Sequence, residues 1–261
     1  MEILDFSSGE YKVFILILVR VSIFLFMFPV FSSPVVPSIA KIGLALLITF
    51  ILYPVVGVKP ELFPNSSLGF GVLVAGEFIV GMVLAYSVDI FFSAVQLAGQ
   101  IVGFQMGFSM INVIDPQSGT DLSIISQISY LVVILIFIIL NGHHMIIQAL
   151  VESFRLVTMG DFYLHENMNK QLVNMATGLF ALGIKMSAPA MAALFFTNAA
   201  FGICAKFVPQ MNIMIVAFPV QIAVGLVTFG TTLQVILIMT RNYMGTFKSV
   251  LSSLLMWLGG G

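Results

Sequence analysis

Long apolar runs separated by short polar segments dominate the chain. Runs of about 17–25 apolar residues match the hydrocarbon thickness of a bilayer and predict membrane-spanning α-helices. The pattern therefore predicts an all-α membrane protein. The apolar runs are Val13–Phe31, Ile42–Val58, Leu68–Val88, Ile90–Phe104, Ile124–Leu140, Leu172–Ile184, Met186–Ala205 and Met211–Met239.

Two of these runs have lengths that do not suit a simple span. Leu172–Ile184 is too short to cross a hydrocarbon core of about 30 Å, whereas Met211–Met239 is longer than one crossing needs. Pro219 lies inside the longer run and removes a backbone donor there. We therefore expect two half-helices or a tight hairpin in that run. Broken backbone of this kind is tolerated only where protein or a water-filled cavity covers it, which predicts bent and hairpin helices buried in an assembly.

Two further segments have amphipathic helical spacing. Met145–Val157 lies within the polar stretch Asn141–Gln171, and the C-terminal segment repeats apolar residues from Tyr243 to Leu258. The second segment is expected to lie at a membrane interface or to pack on a partner subunit.

Composition agrees with the run pattern. Hydrophobic residues make up 60% of the chain and charged residues only 8%, against roughly 25% charged in soluble domains. The mean hydropathy is +1.12, so a soluble fold is excluded. All eleven acidic residues lie at or before Glu166, while five of the ten basic residues follow it. This asymmetry indicates a cytoplasmic C-terminal end.

Charged residues inside or beside the apolar runs are candidates for function, because a charge in a membrane is costly. They are Arg20, Glu77, Asp89 and Lys185, with Lys206 at the end of a run. One interpretation is a proton or ion relay, for which Glu77 is the best single candidate. The other is pairing between helices or subunits, with Lys206 reaching an interface.

A glycine row and the segment after it form a second candidate site. Gly99, Gly103 and Gly107 recur every fourth residue, a spacing that allows close helix packing; a broken helix before a loop is the alternative. The first half of Gln105–Asp121 is rich in Met and Phe. The flexible thioether side chain of Met can adapt to irregular surfaces. This segment is therefore interpreted either as a plug inside a channel or as an ordinary connecting loop anchored by a few apolar side chains.

Motifs for catalysis and for metal binding are absent from the sequence. The adjacent His143 and His144 do not have the spacing of a helical metal pair, and Cys204 is the one cysteine. The chain has no phosphate-binding loop, no Gly-x-Ser-x-Gly motif and no basic cluster for nucleic acid. We expect no enzyme activity, no metal, no cofactor and no nucleic-acid partner.

Four stretches resemble the FliR/SpaR/YscT family of type III export-gate subunits, most closely its flagellar branch. They keep their order and separations over about Arg20–Lys248, while Thr158 departs from the family pattern, which has proline there. The stretches are Arg20–Lys41 with Pro29 and Pro37; Ala94–Gly107 with Asp115–Gly119; Leu140–His144 with Glu152–Arg155; and Pro209–Asn212 with Phe218–Pro219.

The resemblance implies a helical hetero-oligomeric export gate in the bacterial inner membrane, within the flagellar basal body. FliP and FliQ homologues would be the assembly partners, FlhB and FlhA homologues the neighbours, and unfolded flagellar subunits the cargo. A FliP-like part would cover about residues 1–170 and a FliQ-like part residues 171–261, within one membrane-embedded domain.

The resemblance also assigns roles to particular residues. The segment after the glycine row would plug the pore, and the fourth stretch would mark a helix break. The plug residues would be Gln105, Met106, Gly107, Phe108, Ser109, Met110, Asp115 and Pro116, and the break residues Pro209, Gln210, Met211, Asn212 and Pro219.

Three alternatives remain open from the sequence. An injectisome gate subunit would share most of the pattern. An ion or small-molecule transporter would need an internal inverted repeat, and none is apparent. An intramembrane enzyme would need a catalytic constellation, which the sequence lacks.

Overall fold

The structure is a computed structural model that describes residues 8–32, 36–57, 63–64, 66–108, 123–160, 166–210 and 212–258. Its described elements are α-helices joined by short turns. The predicted all-α fold is confirmed. The helices are α1 Ser8–Met27, α2 Pro29–Ser32, α3 Ser38–Val56, α4 Ser67–Gln105, α5 Ile124–Ile139, α6 Gly142–Leu156, α7 Glu166–Phe207 and α8 Ile213–Leu258.

The chain divides into two compact units. The first contains Met1–Ile90, Asn141–Met175 and Thr246–Gly261, and the second contains Phe91–Leu140 and Ala176–Gly245. Helices α4, α7 and α8 each contribute residues to both units, so the units interleave along the sequence.

Two pairs of predicted runs are single helices in the structure. The runs on either side of Asp89 join as α4, and those on either side of Lys185 join as α7. The separate short helix expected over Leu172–Ile184 is therefore wrong. One charged residue interrupts an apolar run but leaves the i to i−4 backbone ladder intact, because a helix is propagated by backbone hydrogen bonds.

The two half-helices or tight hairpin expected within Met211–Met239 are also wrong. Helix α8 is continuous over 46 residues and contains Pro219 near its start. The amphipathic C-terminal segment is the end of this same helix, and it buries Phe247, Leu251, Leu254, Leu255 and Leu258. The amphipathic helix predicted over Met145–Val157 is confirmed as α6.

Local signals explain several helix ends. Ser66 accepts a hydrogen bond from the Gly69 amide at 3.1 Å and caps α4. Gly57 ends α3 in the left-handed conformation with a φ of 57°. Asn141 has a φ of 58° between α5 and α6, a conformation that asparagine tolerates better than most residues.

The described part of the chain contains four helices long and apolar enough to cross a membrane. They lie within α3, α4, α7 and α8, and α5 with α6 would form a fifth, interrupted span if the two count as one. The chain is therefore an all-α membrane protein. Helices α4, α7 and α8, with 39, 42 and 46 residues, exceed the roughly 20 residues that one crossing needs.

Candidate functional sites

A buried ion pair joins α1 to α4 in the first unit. The Nε of Arg20 donates to Oε2 of Glu77 over 2.5 Å. The exposed fraction is 0% for Arg20 and 3% for Glu77. Each side chain therefore neutralises a charge that would otherwise be buried without compensation.

The two terminal nitrogens of the Arg20 guanidinium bind the end of α6. Its Nη1 donates to the Ser153 carbonyl oxygen at 2.8 Å, and its Nη2 donates to the Val157 carbonyl oxygen at 3.1 Å. The guanidinium carbon lies 4.2 Å from the centre of the Phe154 ring, within the range of a cation–π contact. Carbonyls at a helix C-terminus carry partial negative charge, so a cation is stabilised there.

The geometry of Arg20 favours pairing over proton transfer. Its three nitrogens donate to Glu77, Ser153 and Val157. One side chain thus ties α1, α4 and α6 together. This arrangement supports a structural clamp at the position where the sequence suggested either a relay or a pair.

The other candidate charges have different surroundings. Asp89 is half-buried and has an interaction partner within the chain. Lys185 is exposed, as is Lys206, so the expectation that Lys185 is a buried charge is wrong for this chain by itself. The His143 and His144 rings lie 4.3 Å apart, and no group of three potential metal ligands occurs among the described residues.

In the second unit, two members of the glycine row lie against the start of α5. A Cβ at Gly99 would come within 2.5 Å of the Ser126 Cα, and a Cβ at Gly103 would overlap the Ser123 hydroxyl. The Ser126 hydroxyl donates to the Gln96 carbonyl oxygen at 2.9 Å. These contacts support the helix-packing interpretation, because only glycine allows this approach of α4 to α5.

Gly107 has a different role from the other two glycines. Helix α4 ends at Gln105, and Gly107 follows with a φ of 88°, a conformation that favours glycine. A Cβ there would overlap the Phe218 ring. Gly107 therefore ends the helix and is not part of its packing face, which corrects the sequence interpretation.

Part of the predicted plug segment lies within the described residues. Gln105 ends α4, Met106 is fully buried, and Phe108 packs against the core of the second unit. Four members of the predicted segment lie outside the described residues: Ser109, Met110, Asp115 and Pro116.

The predicted helix break falls between α7 and α8. Pro209 and Gln210 form an exposed turn and Asn212 precedes α8, while Met211 lies outside the described residues. Beyond this turn, the Gln221 amide nitrogen donates to the Asn198 side-chain oxygen and links the two helices.

Sequence reasoning missed the partners that complete both sites. Ser153 and Val157 act through backbone oxygens, which side-chain identity does not reveal. Phe218 lies in a stretch that carries the family resemblance, but nothing local indicates that its ring meets Gly107. Gly225 of α8 lies against the Met106 side chain, a proximity that a single glycine in an apolar run does not reveal.

The family profile and the individual relatives that match this chain indicate the same family. The profile of bacterial export proteins, family 1, matches residues 11–247. Flagellar biosynthetic protein FliR of Bacillus subtilis (strain 168) is 30% identical over 252 residues, which cover 95% of this chain and 96% of that protein. FliR of Escherichia coli (strain K12) is 30% identical over 76% of this chain and 75% of its own length. FliR of Aquifex aeolicus (strain VF5) is 27% identical over 94% of each chain.

The matches cover both compact units and both candidate sites. Residues 11–247 include the Arg20 clamp, the glycine row and the turn between α7 and α8. The chain therefore belongs to bacterial export proteins, family 1, the family of flagellar biosynthetic protein FliR.

Proposed function

We propose that this protein is the FliR-type subunit of a flagellar type III export gate in the bacterial inner membrane, within the basal body. It assembles with FliP and FliQ homologues, next to FlhB and FlhA homologues, into a pore for unfolded flagellar subunits. The observation that carries the proposal is the match to flagellar FliR along 95% of the chain.

The surface of the helices supports assembly with other subunits. Large apolar side chains are exposed on α3 and α7, including Phe50, Ile51, Phe195 and Phe196. Apolar area of this extent must be covered by lipid or by protein.

The proposed subunit has two parts, a FliP-like part over about residues 1–170 and a FliQ-like part over residues 171–261. The boundary falls in the first turns of α7, whose helix begins at Glu166. The turn at Pro209 and Gln210 then separates the two long helices of the second part.

The segment that starts at Gln105 is proposed as the pore plug. Its closing mechanism is steric, since Met and Phe side chains fill an irregular opening, and opening requires that these side chains leave their packed positions. Met106 and Phe108 support this role because both pack into the core of the second unit. The driving energy comes from an ATPase or an ion gradient elsewhere in the apparatus.

Co-purification of the tagged full chain tests the assembly. After mild detergent extraction from a flagellated host that carries the gene, mass spectrometry should identify two apolar partners that match FliP and FliQ. Virulence-type secretion partners in their place would assign the chain to an injectisome. A homodimer without partners would overturn the export proposal and favour a transporter.

A permeability assay tests the plug. Deletion of residues 109–114, which leaves Met106 and Phe108 in place, should preserve co-purification but let small solutes leak across vesicles that contain the complex. Normal impermeability of an assembled deletion variant would overturn the plug assignment while leaving the subunit assignment intact.

A further inference from the structure

Met106 occupies a notch in α8 that exists because residue 225 is glycine. Met106 follows the last residue of α4, and its exposed fraction is 0%. A Cβ built at Gly225 would overlap the Met106 Cγ and lie 2.7 Å from its Sδ. Real Cβ atoms do not approach sulfur this closely, so any larger residue at 225 displaces the Met106 side chain.

A second contact on the same face of α8 holds the next residue. Phe218 and Gly225 are seven residues apart, which places them on one face of a helix two turns from each other. The Phe218 ring lies directly against Gly107, whose φ of 88° turns the chain away from α4. Two successive residues after α4 are thus held by two positions on one face of α8, two turns apart.

The surroundings of Met106 leave it little room to move. Its side chain belongs to a buried cluster with Val102, Ile125, Leu194 and Phe229, and its amide donates to the Val102 carbonyl oxygen at 3.0 Å. Protein cores are packed at crystal-like density, so a displaced side chain must open a new space elsewhere. The methionine will move before the backbone of α8 does, because its thioether chain is flexible.

We infer that Gly225 and Phe218 are positioning residues for the segment that follows α4. The Gly225 notch fixes Met106 and the Phe218 ring fixes Gly107, and together they set how Phe108 packs against the core of the second unit. The inference rests on the proposed function, since residues 106–108, which α8 positions, are the start of the proposed plug.

The helix provides a matched control for the notch. Gly230 lies in α8 five residues after Gly225, and a Cβ at Gly230 would meet nothing within 4 Å. Gly225→Ala and Gly230→Ala therefore make the same backbone change in the same helix. They differ in whether the new methyl group collides with Met106.

Thiol labelling measures the position of the segment directly. In a Cys204→Ser, Phe108→Cys background, the purified complex is exposed to a water-soluble maleimide. Gly225→Ala should raise the labelling rate at position 108 several-fold, and Gly230→Ala should leave it unchanged. In a Met106→Ala background, Gly225→Ala should have no further effect, because the side chain that it displaces is gone.

The outcomes separate this inference from the proposed function. Equal labelling rates in Gly225→Ala and Gly230→Ala would overturn the positioning role, even if deletion of residues 109–114 causes leak. Faster labelling in Gly225→Ala without leak in the deletion variant would support the positioning role and reject the plug.

A second variant decides the matter if Gly225→Ala fails to assemble. Phe218→Ala removes the ring from Gly107 without adding an atom to the core. An assembled Phe218→Ala complex should label faster at position 108, and a wild-type labelling rate would overturn the inference.

Discussion

The Arg20 guanidinium and the Glu77 carboxylate form a buried ion pair of 2.5 Å although 57 residues separate them in the chain. The same guanidinium binds two carbonyl oxygens at the end of α6. Because all three guanidinium nitrogens of Arg20 donate to an acceptor, its charge is compensated by α4 and by the end of α6. The pair therefore fixes the relative placement of α1, α4 and α6.

Removal of either partner of this pair should destabilise the first unit strongly. Arg20→Met or Glu77→Met should each cost about 3–5 kcal/mol, since each leaves an uncompensated buried charge. The double variant should cost less than the sum of the two, because no lone charge remains. Denaturant unfolding in detergent measures all three, and additive costs would contradict a direct pair.

Glu77→Gln separates pairing from proton transfer. The Gln amide oxygen can still accept a hydrogen bond from Arg20 but carries no negative charge. We therefore expect reduced stability of the complex and an unchanged pH dependence of export. Secretion of flagellar subunits, measured across a range of external pH, provides the readout. A stable complex whose export loses its pH dependence would support the relay.

The glycine row predicts a position-dependent effect of added methyl groups. Gly99→Ala places a Cβ against the Ser126 Cα, and overpacking of this kind costs typically about 1–3 kcal/mol. Gly71→Ala lies in the same helix where a Cβ meets nothing within 4 Å, and it should stabilise by roughly 0.5–1 kcal/mol. Thermal unfolding in detergent should move in opposite directions for the two variants.

The exposure of Lys185 predicts an ion pair with a carboxylate of a partner subunit. It is exposed in an apolar helix and has no ion-pair partner among the residues that the structure describes. We expect Lys185→Glu to reduce co-purification of the partner subunits and Lys185→Arg to preserve it, because the second keeps the charge. Full co-purification with Lys185→Glu would show that no carboxylate of a partner faces this position.

Pro219 predicts a gain in helix stability when it is replaced. Its ring is exposed on α8, and proline within a helix removes one backbone hydrogen bond at a cost of about 3 kcal/mol or more. Pro219→Ala should therefore slow amide hydrogen exchange in residues 213–222. Faster exchange would show that the proline ring stabilises the packing at this point.

The sequence by itself determined the class of the protein and the places where function concentrates. Apolar run length and low charge content are local properties, and they sufficed for an all-α membrane protein. The amphipathic spacing of Met145–Val157 also sufficed for α6. Ordered short motifs indicated the family, and the charges in the apolar runs identified Arg20 and Glu77 as notable before any contact was known.

Only the tertiary structure decided where helices stop and which distant groups meet. The apolar runs on either side of Asp89, and those on either side of Lys185, were predicted as separate helices. Backbone hydrogen bonding instead continues through each single charged residue. The partners of Arg20 and the notch for Met106 depend on residues far away in the chain. Such pairings follow from tertiary packing. The effect of a glycine depends on the side chain packed against it, and the stability of a buried charge depends on the group that neutralises it.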